Sequence, residues 1–186
     1  MAPVCFSCTL CGDCCTGAQV VRLTDSDRVR LTQRVGGKRW ADLRKLGLVS
    51  LVLETLVTGQ VLWRPRLRFR TKPLVQCPFL VNDIDTEGRY RGLCSLHPFA
   101  KPLVCQLSPL ARDVELTGKR VQETWSIVPP TKNCPGMGLG PVLEPSPPLS
   151  LRPDLDHETR WIRWLLSWGS QVIEEEEAWK LLESWA

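Results

Sequence analysis

Five of the nine cysteines lie within residues 5–15, CFSCTLCGDCC. Cys8, Cys11 and Cys14 recur at intervals of three. A two-residue gap lets two thiolates turn toward one ion, and Gly12 relaxes the turn between them. Cys15 breaks the regularity. Neighbouring side chains of an extended chain point to opposite sides. Cys14 and Cys15 are therefore expected to serve two metals, or two irons of a cluster, more easily than one tetrahedral ion. Cys77, Cys94, Cys105 and Cys134 stand far down the chain. Four local and four remote thiols make two sets of four. That fits two four-coordinate metals, or one cluster held by four thiolates with further sulfurs beside it. Cys5 is left over, as a spare ligand or a packed thiol.

A disulfide framework is the competing reading. It wants an oxidising compartment and a small, loop-rich domain. Here 43% of the 186 residues are hydrophobic and 24% charged, enough for an ordinary core. The opening MAPVCFSC has neither a basic n-region nor an apolar run. The most apolar stretch, LGLVSLVLETLVTGQVLW, is interrupted by Glu54, Gly59 and Gln60. These features lead to an expectation of a cytoplasmic protein with reduced thiols and no membrane span. The net charge of +4 is too mild to argue for nucleic acid by itself. Catalytic patterns are absent: there is no phosphate-binding loop and no Ser-His-Asp setting for the two histidines. His97 is read first as a structural histidine in a Pro-bounded turn, with ligation or a place beside a thiolate or cluster as the alternative, and His157 is expected to be solvated.

The elements that must position these thiols are short. Residues 18–23 read as a strand. Thr24 then caps a helix, with Asp27 three residues on as the capping-box acid and Gly36-Gly37 as its stop. A second helix is expected over 39–46, and 48–57 is ambiguous between helix and strand. Residues 61–72 alternate, with Trp63, Leu67 and Phe69 on one side and Arg64, Arg66, Arg68, Arg70 and Lys72 on the other. Pro65 marks an edge strand. The arginine row is read first as a charged edge, next as charge compensation for thiolates, and last as a nucleic-acid grip. LARDVELTGKRVQETWSIV reads as a hairpin turning at Thr117-Gly118-Lys119. Trp161, Trp164, Leu165 and Trp168 make one face of a terminal helix that Gly169-Ser170 interrupts; Trp179, Leu182 and Trp185 follow on a second piece. That face is expected to pack on its own domain, with docking of a protein partner as the alternative.

The cysteine motifs together resemble the CxxCxxCC family, the zinc- or iron-chelating domain of the YkgJ type. FSCTLCGDCC looks like its first motif, CPFL at 77–80 its second, CSLHPFAKPLVCQLSP at 94–109 its third and NCPGMGLG at 133–140 its ending. The resemblance covers about residues 6–140. It implies a metal-binding fold, and a related protein-lysine methylase brings in an iron–sulfur cluster.

The resulting expectation is a small, irregular α+β cysteine-rich domain with short strands, a hairpin and a C-terminal helix. Residues 1–140 form the metal-binding domain, 141–156 a Pro-rich linker and 157–186 a helical segment packed on the domain. The ligands are Cys8, Cys11, Cys14, Cys15, Cys77, Cys94, Cys105 and Cys134. An iron–sulfur cluster, 4Fe–4S, is preferred over zinc. A redox or protein-modifying role is set against a structural zinc module that binds protein or nucleic acid.

Overall fold

The computed structural model describes residues 3–17, 19–55, 59–118, 120–169 and 174–185. Helices and small antiparallel sheets alternate along the chain, an α+β arrangement. In order they are β1 (Cys5–Phe6), α1 (Asp25–Val35), α2 (Trp40–Lys45), β2 (Val49–Thr55), β3 (Val61–Leu67), β4 (Leu80–Ile84) and β5 (Tyr90–Cys94). After these come α3 (Leu103–Leu107), β6 (Leu110–Thr117), β7 (Arg120–Ile127), β8 (Met137–Val142), α4 (Arg152–Gly169) and α5 (Glu175–Ser184). The strands pair as β1·β8, β2·β3, β4·β5 and β6·β7.

Local chemistry accounts for α1. The Thr24 hydroxyl accepts the N–H of Asp27, and the Asp27 carboxylate accepts the N–H of Thr24 at 2.8 Å. Gly36 closes the helix with φ 88°, a conformation that costs glycine little. The ambiguous stretch 48–57 resolves as β2, whose Val49 and Leu51 turn into the core. Residues 56–58 and the hairpin residue Lys119 lie outside the described residues, as does Ser170. The expected strand at 18–23 shrinks to a bridge. Leu67 N–H donates to Val21 O and Leu23 N–H to Pro65 O, each at 2.9 Å. Pro65 has no N–H to return to Leu23, so the pairing stops there. β3 thus has a neighbour on both sides rather than a free edge.

The main core gathers Leu23, Leu31, Trp40, Leu43, Leu62, Leu67, Phe79 and Leu80 under the two terminal helices. Leu155, Trp161 and Leu165 of α4 are fully buried. Burial of side chains this size contributes roughly 1.5–3 kcal/mol each. Trp161 stacks on Trp40 at 6.2 Å and on Trp164 at 5.2 Å, while Trp185 closes on Trp164 at 4.9 Å. The tryptophan face is therefore turned onto the domain. α5 lies across α2, with Glu176 paired to Arg44.

The expected linker 141–156 and the helix start at 157 need correction. β8 runs to Val142, a 3-10 turn covers Leu149–Leu151, and α4 begins at Arg152. Pro153 and Asp154 sit in its first turn, where a missing N–H is harmless and an acid is favoured. His157 consequently lies inside the helix, half-buried, its ring edge-on to Trp185 at 6.2 Å rather than solvated.

The arginine row also differs from expectation. Arg64 is not an exposed charge: it lies under α4, paired with Glu158 at 3.2 Å and near Glu54 at 3.9 Å. Glu158 also takes Arg112 of β6 at 2.8 Å, and that guanidinium is 3% exposed. One glutamate of α4 thereby ties the β2·β3 sheet to the β6·β7 hairpin.

Candidate metal centre

Residues 3–17 are a strap laid across the loops that carry the distant cysteines. β1 pairs with β8, Cys5 opposite Val142 and Phe6 opposite Met137. Ser7 N–H donates to Gly136 O at 3.1 Å, two residues past Cys134. Leu10 O accepts the N–H of Gly92, two residues before Cys94, at 2.7 Å. Cys15 O accepts the N–H of Cys77 at 2.7 Å, and Gly17 N–H donates to Val75 O at 2.9 Å. The glycines permit the close approach. A β-carbon on Gly136 would fall 2.3 Å from Ser7 O. Three of the four distant cysteine segments are thus bound to the strap through backbone groups.

Cys105 arrives by another route. Asp27, fully buried, spends its second oxygen on the N–H of Leu103 at 2.8 Å and on Arg30. This fixes the start of α3 and places Cys105 one turn in. The sequence marked Asp27 only as a cap; its second task had no local signal.

Residues 13–15 form a 3-10 turn, not an extended chain. Successive side chains there diverge by about 120°, not 180°. The Cys14 and Cys15 sulfurs consequently stand 3.9 Å apart, which corrects the expectation that they point to opposite sides. Cys15 is the hub. Its sulfur stands 3.9 Å from that of Cys14, its carbonyl accepts the Cys77 N–H, and the Cys77 and Cys94 thiols lie within its electrostatic reach. Cys105 lies within electrostatic reach of Cys15, Cys94 and Cys14. Cys77 is buried, and Cys15, Cys94 and Cys105 pack on the same main core.

The crowding moves the thiols in opposite directions. The hydrogen bond with Cys14 favours ionisation of Cys15. The hydrogen bond with Cys77, burial and the charges of Cys77 and Cys94 outweigh it and push Cys15 up to about 12. Cys77 is held below the ordinary thiol value by the hydrogen bond from Cys15, assisted by the N–H of Phe79. Burial, then Cys15, Asp27 and the other thiols push Cys105 up. Cys14 is raised first by its bond to Cys15, against the opposing charge of Lys101. Lys101 is a neighbour that the cysteine spacing did not reveal.

Cys8 is exposed, and Cys5, Cys11 and Cys134 are half-buried. Cys11 interacts with Thr9 and Asp13 rather than with another thiol. His97 is exposed in the turn after Cys94, with its N–H on Cys94 O at 3.0 Å. Among the described residues, no three His, Cys, Asp or Glu side chains already stand as a set that could hold a metal ion. The hub sulfurs are neighbours, not a closed coordination sphere.

Their chemistry nevertheless fits a soft cation. Five thiols lie near one another with two hydrogen-bonding backbone N–H groups, those of Cys14 and Phe79, and each ionisation there opposes the next. A thiophilic metal ion removes that conflict by taking thiolates as ligands.

Comparison with protein-family models, with curated proteins and with solved structures finds no match for this chain. No helix among the described residues is long and apolar enough to cross a membrane.

Proposed function

We propose that this chain is a cysteine-ligated metal-binding protein of the CxxCxxCC type, working in a reducing compartment such as the cytoplasm. The observation that carries the reading is the gathering of Cys14, Cys77, Cys94 and Cys105 about Cys15, from four separate segments of the chain. Thiols brought together from such distances and packed on one core are within reach of a shared ligation, and metal binding there would contribute folding free energy.

Cys15, Cys77, Cys94 and Cys105 would hold the group, with Cys14 at its exposed side. Cys8, Cys11 and Cys134 would complete a second metal or an extended cluster. An iron–sulfur cluster, 4Fe–4S, is the preferred occupant; it would supply electron transfer for a redox or protein-modifying role. The chain's own residues exclude water on the core side through Phe79, Leu80 and Leu96, leaving Cys14 on the open side.

The test is metal and acid-labile sulfide content of protein purified without oxygen, together with its visible spectrum. Iron, sulfide and a brown chromophore are expected. Zinc without sulfide or colour would overturn the cluster and leave the centre as structural zinc. Absence of both metals would overturn the metal reading itself.

A further inference from the structure

The surface onto which Cys14 opens is cationic and apolar at once. Arg70 N–H donates to Gln76 O and Gln76 N–H to Arg70 O, closing 70–76 into a small hairpin-like loop. Its base is tied to the strap by the Thr16–Gln76 bridge and the Gly17–Val75 hydrogen bond, directly beside Cys15 and Cys77. Its outer part exposes Lys72, Leu74 at 68% and Val75 at 41%, next to exposed Arg68 and Arg70. Lys101 lies within electrostatic reach of Cys14, and Phe99, two residues before it in the chain, is 88% exposed.

Counter-charge is missing along the sequence around these cations, and Asp13, the acid of the strap, forms no ion pair with them among the described residues. The sequence has no acid between Glu54 and Asp83, or between Glu87 and Asp113. Among the described residues Arg68, Arg70, Lys72 and Lys101 form no ion pair, whereas Arg64, in the same row, has two. A run of like charge interleaved with exposed apolar side chains carries a cost in the isolated chain, and an acidic surface with an apolar centre relieves both parts.

We propose that the 70–76 loop and the Phe99–Lys101 turn form the docking surface for a protein partner whose acidic, apolar patch covers the exposed side of the Cys14–Cys15 pair. A protein is favoured over nucleic acid by the aliphatic contacts. Leu74 and Val75 offer nothing to a phosphate or a base. Phe99 is a lone ring, where single-stranded binding uses successive stacking rings. The surface is defined whichever metal the thiols hold, so the inference goes beyond the metal assignment.

The test uses the full chain, with its metal content measured alongside, and two fluorescent probes. One is a peptide of about fifteen residues alternating Glu with Leu and Phe; the other is an oligothymidylate of the same net charge. The peptide is expected to bind more tightly than the oligonucleotide. Arg70→Glu with Lys72→Glu should weaken it by about tenfold and flatten its salt dependence. Leu74→Ser should weaken it several-fold with the tryptophan emission unchanged. Three outcomes overturn the proposal: no peptide binding at low salt, peptide affinity indifferent to Leu74→Ser, or tighter binding of the oligonucleotide. The last would reassign the face to nucleic acid. Metal content is read separately, so failure of docking and failure of the metal reading remain distinguishable.

Discussion

Gly12 and Gly92 meet backbone to backbone: a β-carbon on Gly92 would stand 2.3 Å from the Cα of Gly12. Gly12 also needs its φ of 79° to turn the strap toward Cys14. The contact sets how near the strap comes to the β4·β5 hairpin, and hence how near Cys15 comes to Cys94. Gly92→Ala should cost ~1–3 kcal/mol through overpacking. It should also lower the metal content per chain. Melting temperature and metal analysis on one preparation check both; full metal content in a destabilised variant would separate the strap's placement from the centre.

The cysteines should sort by position. Serine at Cys15, Cys77, Cys94 or Cys105 is expected to cost most of the bound metal and to lower the melting temperature, because the thiols share a core with Phe79 and Leu80. Serine at Cys5, in β1 opposite Val142, should leave metal and stability unchanged. Equal loss at Cys5 and Cys15 would argue against Cys15 as the hub.

Glu158 answers two arginines of unequal standing: Arg112 also holds Glu123 at 2.7 Å, whereas Arg64 otherwise has Glu54 at 3.9 Å. Glu158→Gln should destabilise the chain by roughly 1–3 kcal/mol, chiefly by leaving Arg64 short of charge beneath α4. Replacing Arg112 by Met and Glu158 by Leu together should recover part of the loss, and denaturant midpoints of the single and double variants measure it.

Asp85 gives the clearest acid response. The N–H of Arg89, helped by its guanidinium and the N–H of Glu87, holds the Asp85 carboxyl down to about 2. A depressed folded value means that its contribution is present above the unfolded value near 4 and is lost as pH falls from about 5 toward 2. Amide resonances of residues 85–89 should shift over that range, and Asp85→Asn should abolish the transition.

Legibility followed the reach of each interaction. Thr24, Asp27 and Gly36 form α1 through contacts within one or two turns, so their spacing sufficed. The 110–127 hairpin was equally local. Arg64 could not be placed, because its partner Glu158 lies ninety-four residues on and alternation alone turned its side chain outward. The start of α4 was hidden by Pro153, which reads as linker composition yet suits a first helical turn. For the candidate centre, spacing offers eight cysteines as ligands without saying which of them come together, because that depends on the 3-10 turn at 13–15 and on Asp27 gripping Leu103.

The strap has a consequence for the order of assembly. A ribosome makes Cys5 through Cys15 first, yet β1 has no partner until β8 exists, and Cys15 has none until Cys77 and Cys105 have emerged. Its pairings are among the longest-range in the molecule, and such contacts repay their closing entropy late. The strap, made before every segment it pairs with, is then the last to be seated. Through most of synthesis the chain trails five unprotected thiols, and the strap's arrival closes the fold and the thiol hub in one event.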